Sequence, residues 1–86
     1  MIIRSQDKTM IVNLNNIDCI CYSDRENEII VFNGEAQSHI GIYSTEEKAI
    51  KVLDMITEHY DEVMDARYWN DTYQNNCFQM PQDSEV

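Results

Sequence analysis

Tyr43-Ser44-Thr45-Glu46-Glu47-Lys48-Ala49-Ile50-Lys51-Val52-Leu53 is the stretch where this chain changes period. Before it, apolar residues recur in twos, as along strands; after it they recur at spacings of three and four, as along a helix face. Ser44-Thr45-Glu46-Glu47 matches a capping box, in which a Ser44 hydroxyl accepts from the third helical amide while Glu47 reaches back to the N–H of the cap. From there Ala49, Leu53, Ile56, Tyr60, Val63 and Arg67 form a stripe, widened by Ile50, Val52 and Met64. No proline or glycine interrupts it, so one helix of roughly six turns is expected, ending near Tyr68.

Upstream, Ile2 and Ile3 open a strand that turns through Ser5-Gln6-Asp7-Lys8, and Met10, Val12 and Leu14 alternate with polar positions on the return. A third strand is expected over 17–22, a fourth over 28–32 and a fifth over 39–43. They are separated by the polar cluster 23–27 and by Asn33-Gly34, a pair suited to positive φ. Downstream, 69–86 is polar except for Cys77-Phe78-Gln79-Met80, stopped by Pro81. The expected fold is therefore α+β: an antiparallel five-stranded β-meander, one long α-helix, and a C-terminal extended arm or short sixth strand. Residues 1–80 read as one domain and 81–86 as a loose acidic tail.

The central strands depart from simple alternation. Ile17, Cys19 and Cys21 share one face of the third strand while Ile20 and Tyr22 share the other; in the fourth, Ile29 and Val31 oppose Ile30 and Phe32. One helix covers one face of such a sheet. The second face is expected to meet another copy of the chain, making at least a homodimer, or else to be closed by Trp69, Tyr73 and Phe78 of the C-terminal arm.

At 86 residues the core is thin, and 16 acidic against 6 basic side chains give a formal charge of −10. That field repels nucleic acid and anionic membranes and favours basic protein surfaces. Three cysteines without a recognisable leader point to a reducing cytoplasm, and no apolar run is long enough to span a bilayer. Cys19-x-Cys21 with His39 and His59 falls short of a four-ligand zinc pattern, and the alternation reads both cysteines as small core residues. Cys77 lacks a His–carboxylate partner at a recognisable spacing, and no phosphate-cradling glycine motif or H-E-x-x-H is present. A non-enzymatic binding protein without a cofactor is expected.

Two constellations stand out. Arg4, Gln6, Asp7 and Lys8 gather cation, amide and carboxylate in one turn, groups suited to clamping a phosphate and a ribose diol, with Arg67 and Trp69 as a second cation and a stacking surface. The bland alternative is a hairpin turn with surface charges. On the helix, Asp54, Glu58, Asp61 and Asp65 form one stripe joined by Glu62, a candidate protein interface or simply the solvated face of an acidic protein.

Arg4-Ser5-Gln6-Asp7-Lys8, Tyr43-Ser44-Thr45-Glu46-Glu47-Lys48-Ala49, Val52-Leu53-Asp54-Met55-Ile56 and Phe78-Gln79-Met80-Pro81-Gln82-Asp83 together resemble a group of small proteins of phages and integrated elements in Gram-positive gut bacteria. The resemblance implies a setting, antagonism of bacterial immunity in the host cytoplasm, and no site residue. Within it, one expectation is a sponge similar to anti-Thoeris proteins, sequestering an ADP-ribose-like or cyclic-nucleotide signal. The other is an acidic inhibitor similar to some anti-CRISPR proteins, occupying the basic nucleic-acid groove of an effector; the sponge is the leading one. Met10-Ile11-Val12-Asn13-Leu14-Asn15-Asn16-Ile17 also resembles a segment of LytTR-type DNA-binding domains, whose basic surface this chain lacks.

Overall fold

The computed structural model describes residues 1–68 and 77–86, with the side chains at 63 and 65–68 outside the description. Its element order is β1 (Ile2–Arg4), β2 (Ile11–Asn13), β3 (Cys19–Ser23), β4 (Glu28–Asn33), β5 (Ala36–Ile42), α1 (Glu46–Tyr68) and β6 (Cys77–Gln79). The α+β class stands, with one α-helix among the described residues. The continuous five-stranded meander does not: the strands form two three-stranded sheets, ordered β2-β1-β6 and β3-β4-β5.

The break falls between β2 and β3, where Leu14–Asn16 winds into a 3₁₀ turn whose start is held by the Asn13 side chain, accepting from Asn15 N–H at 3.0 Å. Asn and Asp side chains offer the backbone such local bonds in place of a ladder, so the chain leaves the first hairpin instead of extending it. The opposite edge of β1 is taken by β6, paired in parallel, Ile2 with Cys77 and Arg4 with Gln79. A parallel neighbour needs a long crossover, and α1 lies within it. The C-terminal island is thus the short sixth strand, at the edge of the first sheet beside β1.

The second sheet is the hairpin ladder expected of its turns. Asn27 and Gly34 take the left-handed conformation at φ 51° and 64°, and Gly34 N–H donates to Asp18 at 2.7 Å. Ile29, Val31 and Ile40 from this sheet meet Ala49, Val52 and Ile56 of α1, while Ile3, Phe78 and Met80 join from the first sheet. Full burial of each larger aliphatic side chain contributes about 1.5–3 kcal/mol. Gly41 sits where a Cβ would lie 2.9 Å from the Tyr43 ring and 3.1 Å from Met80, so no side chain fits at this crossing.

Two local expectations are corrected. The helix cap is Thr45, whose Oγ1 accepts from Lys48 N–H at 3.2 Å; Ser44 N–H instead donates to Asp83 Oδ1 at 2.8 Å, and the Ser44–Glu47 box is replaced by this tertiary contact. Residues 81–86, read as a loose tail, are docked. Tyr43 Oη donates to Pro81 O at 2.8 Å, Gln82 Nε2 to Gln6 O at 2.7 Å, Lys48 Nζ to Asp83 O at 3.0 Å, and Val86 packs on the core. Burial of the Tyr43 phenol, with Asp83 and Glu85 nearby, pushes its pKa up to about 12.

Candidate functional site

The Arg4–Lys8 turn directs most of its polar groups into its own fold. Gln6 uses both ends of its amide: Ile42 N–H donates to Oε1 at 2.9 Å, and Nε2 donates to Ile42 O at 2.9 Å and Pro81 O at 3.3 Å. Asp7 Oδ1 accepts from Ser5 Oγ at 2.7 Å and from Thr9 N and Oγ1 at 3.0 and 2.7 Å. The Thr9 and Ser5 hydroxyl bonds hold its carboxyl down to about 2. The Arg4 guanidinium donates twice to Lys8 O, at 3.3 and 3.2 Å, across a turn that Lys8 closes with φ 67°. Arg4, Gln6, Asp7 and Lys8 are therefore adjacent, as the sequence has them. The Arg67 side chain and Trp69 lie outside the described residues.

The helix has a different character. Asp54, Glu58, Asp61 and Glu62 are all exposed, and the face they occupy turns away from the buried stripe of Ala49, Val52 and Ile56. The Asp65 side chain is outside the described residues. From Asp54 to Glu62 the run covers about 12 Å of helix axis at 1.5 Å per residue. Between Lys51 and Arg67 the sequence carries no lysine or arginine to offset it. Placing carboxylates toward the C-terminal half of a helix opposes the dipole, and like charges four apart repel by a few tenths of a kcal/mol, about the same again for each pair. The core packing behind this face holds the helix against those repulsions.

A third surface was only partly legible. The sheet face turned away from α1 carries Cys21, Ile30 and His39 in one cross-strand row, and Cys19, Phe32 and Gln37 in the next. Ile30 is 7 % exposed yet stands apart from the helix-packed core cluster. The cysteines are on this outer face, Cys19 exposed and Cys21 half-buried, and are not core residues. Phe78, a candidate to close this face, is buried in the core beside β1, and Trp69 and Tyr73 lie outside the described residues. Burial, reinforced by the neighbouring Cys19, raises the pKa of the Cys21 thiol, the wrong direction for a nucleophile.

At one end of that face Glu28, only 4 % exposed, pairs with His39 Nδ1. A polar side chain at that depth needs a hydrogen-bonding partner, and His39 supplies it. Together with Arg25 and Ile30 these groups line an open hollow of about 610 Å³. Sequence reasoning passed over the pair; the available signal was a glutamate opening an otherwise apolar run, Glu28-Ile29-Ile30-Val31-Phe32, with a histidine in the strand that follows. Among the described residues no three of His, Cys, Asp and Glu converge as metal ligands; His59 lies on α1 against Phe78, with a ring-centroid distance of 5.5 Å, on the other side of the sheet from Cys21. No helix among them is long and apolar enough to cross a membrane.

No known family, curated protein or solved structure matches the chain.

Proposed function

We propose that this chain is a non-enzymatic binding protein that sets the acidic face of α1 against a basic surface of another protein. In the setting implied by its resemblances, that partner is a nucleic-acid-handling effector of bacterial defence, and the chain acts as an anti-CRISPR-like inhibitor. The observation that carries the reading is the exposed run Asp54, Glu58, Asp61 and Glu62 on a chain of formal charge −10. Such a field steers association toward basic partners and away from phosphates. A nucleotide sponge built on Arg4, Gln6, Asp7 and Lys8 has less support, because the Gln6 amide is already engaged by Ile42 and Pro81 and the Asp7 carboxylate by Ser5 and Thr9. The experiment is capture from phage-infected cells on immobilised protein, with mass spectrometry of what elutes as salt is raised. A basic protein released at moderate salt is expected; a small nucleotide freed on denaturing the bait, with no protein captured, would reverse the choice between the two readings.

A homodimer joined through the outer face of β3-β4-β5 is proposed alongside. It is supported by Cys19, exposed, and Ile42, 48 % exposed, on a side of the sheet that α1 does not reach. Two such sheets stack about 10 Å apart, which would leave the two acidic helices on opposite outer surfaces, separated by well over the Debye length of about 8 Å. The acidic charge that would oppose self-association is thereby kept out of the interface.

A further inference from the structure

The outward side of α1 is not acidic all round. Ile50, Leu53, Thr57, Tyr60 and Met64 follow one another at spacings of three, four, three and four, the heptad spacing of a helix that packs along a second helix. The core contacts of α1 use a different stripe, Ala49, Val52 and Ile56. Ile50, Tyr60 and Met64 are left 40 %, 41 % and 41 % exposed, and Leu53 is half-buried at the edge of the core. At 3.6 residues per turn, the heptad seam is centred roughly 90° around the helix from the core stripe, and the carboxylates of Asp54, Glu58 and Asp61 are centred roughly 90° further on. Beside the seam, Leu14, Ile56, Thr57 and Tyr60 frame a hollow of about 340 Å³ where the 3₁₀ turn approaches the helix.

We infer that this seam is a docking groove for an amphipathic basic helix of the partner protein, one that lays an apolar ridge along Ile50, Leu53, Tyr60 and Met64 and turns a lysine- or arginine-bearing flank to Asp54, Glu58 and Asp61. The inference rests on the basic-partner reading above and adds to it the partner's shape. Charge complementarity selects this occupant. A helix supplying only apolar residues would strand the carboxylates at the rim, and one with an acidic flank would be repelled along its length. A second copy of this chain is the wrong occupant here, since an antiparallel pair of α1 helices would bring the same acidic flank against itself, and the other flank is covered by the chain's own sheets. The seam and the outer sheet face are consequently separate surfaces with different occupants. Long exposed apolar side chains at heptad spacing, flanked on one side by charge of a single sign, are the arrangement by which helix-in-groove recognition sets both affinity and direction.

The test uses the full chain and two synthetic peptides of about three heptads each. One carries leucine at the a and d positions and lysine or arginine on one flank; the other has the same composition in scrambled order. Binding is followed by fluorescence anisotropy, with circular dichroism confirming that each protein variant is folded. The wild type is expected to bind the patterned peptide about tenfold or more tightly than the scrambled one, and the Ile50→Ser/Tyr60→Ser double variant is expected to bind both equally. These positions are already substantially exposed, so the fold is retained. Equal binding of both peptides by the wild type, or a preference that survives in the double variant, overturns the seam while leaving the basic-partner reading intact. Failure of both peptides to bind at low salt overturns both.

Discussion

Replacing Gln6 by alanine tests whether the Arg4–Lys8 turn is a structural tether. The side chain bonds to Ile42 N–H, Ile42 O and Pro81 O, and so ties the turn after β1 to the end of β5 and to the docked C-terminus. Three hydrogen bonds at about 0.5–1.5 kcal/mol each set the scale. The two to Ile42 are solvent-exposed, where water replaces part of what is lost, which places the expected cost at about 2 kcal/mol. For a chain of this size, with total stability of roughly 4–13 kcal/mol, that is a substantial fraction and lowers the melting temperature by roughly 8–16 °C. Gln6→Glu keeps the acceptor for Ile42 N–H but turns a carboxylate oxygen toward two carbonyls, so it is expected to be at least as damaging at neutral pH and to recover partly in acid. Urea unfolding followed by circular dichroism measures both. A loss below about 0.5 kcal/mol for Gln6→Ala would refute the tether, since surface substitutions away from structural contacts have effects of that size.

Further outcomes follow from the same geometry. Gly41→Ala drives a methyl into Tyr43 and Met80 and is expected to cost about 1–3 kcal/mol by the same unfolding assay, the range for overpacking a tight contact. The Asp7 carboxyl titrates at about 2 in the folded protein against an ordinary 3.8, so the folded state favours its ionised form. Its contribution to stability is complete above pH 3.8 and is lost as pH falls toward 2; Asp7→Asn should remove that part of the acid dependence, and NMR titration of the carboxyl checks the value. Under reducing conditions, sedimentation equilibrium is expected to show a species of about 20 kDa, twice the 10.1 kDa chain, that Cys19→Arg and Ile42→Arg return to monomer without loss of secondary structure. A monomer at every concentration would rule out pairing through the outer face.

The helix and the strand segments were legible because each rests on a local period. The apolar stripe of α1, the short apolar run of β4 and the Asn33-Gly34 turn all declare themselves within a few residues. What the sequence did not disclose is long-range. Nothing in Cys77-Phe78-Gln79-Met80 says that it pairs in parallel with Ile2–Arg4, and nothing in Asn15-Asn16 distinguishes a turn within one sheet from the exit to a second. The cap moved from Ser44 to Thr45 because Asp83, almost forty residues away, takes the Ser44 amide. The apolar character of both strand faces was readable, and Ile30 lies apart from the core cluster accordingly, but which cysteines faced outward depended on where the helix landed. For the candidate sites, the acidic run followed from helix periodicity, whereas the internal use of Gln6 and the Glu28–His39 pair required the tertiary arrangement.

The proposed function depends most directly on the acidic face of α1. Its decisive measurement is the affinity of the captured basic partner for wild-type protein and for Asp54→Lys/Glu58→Lys/Asp61→Lys, determined across a range of salt concentrations. Because reversing each exposed charge replaces an attraction by a repulsion of about 0.5–1 kcal/mol, the triple variant should bind about a hundredfold more weakly at low salt. The wild-type affinity should fall steadily as salt is added, while the variant keeps its fold. Unchanged affinity in the triple variant, or binding indifferent to salt, would contradict it.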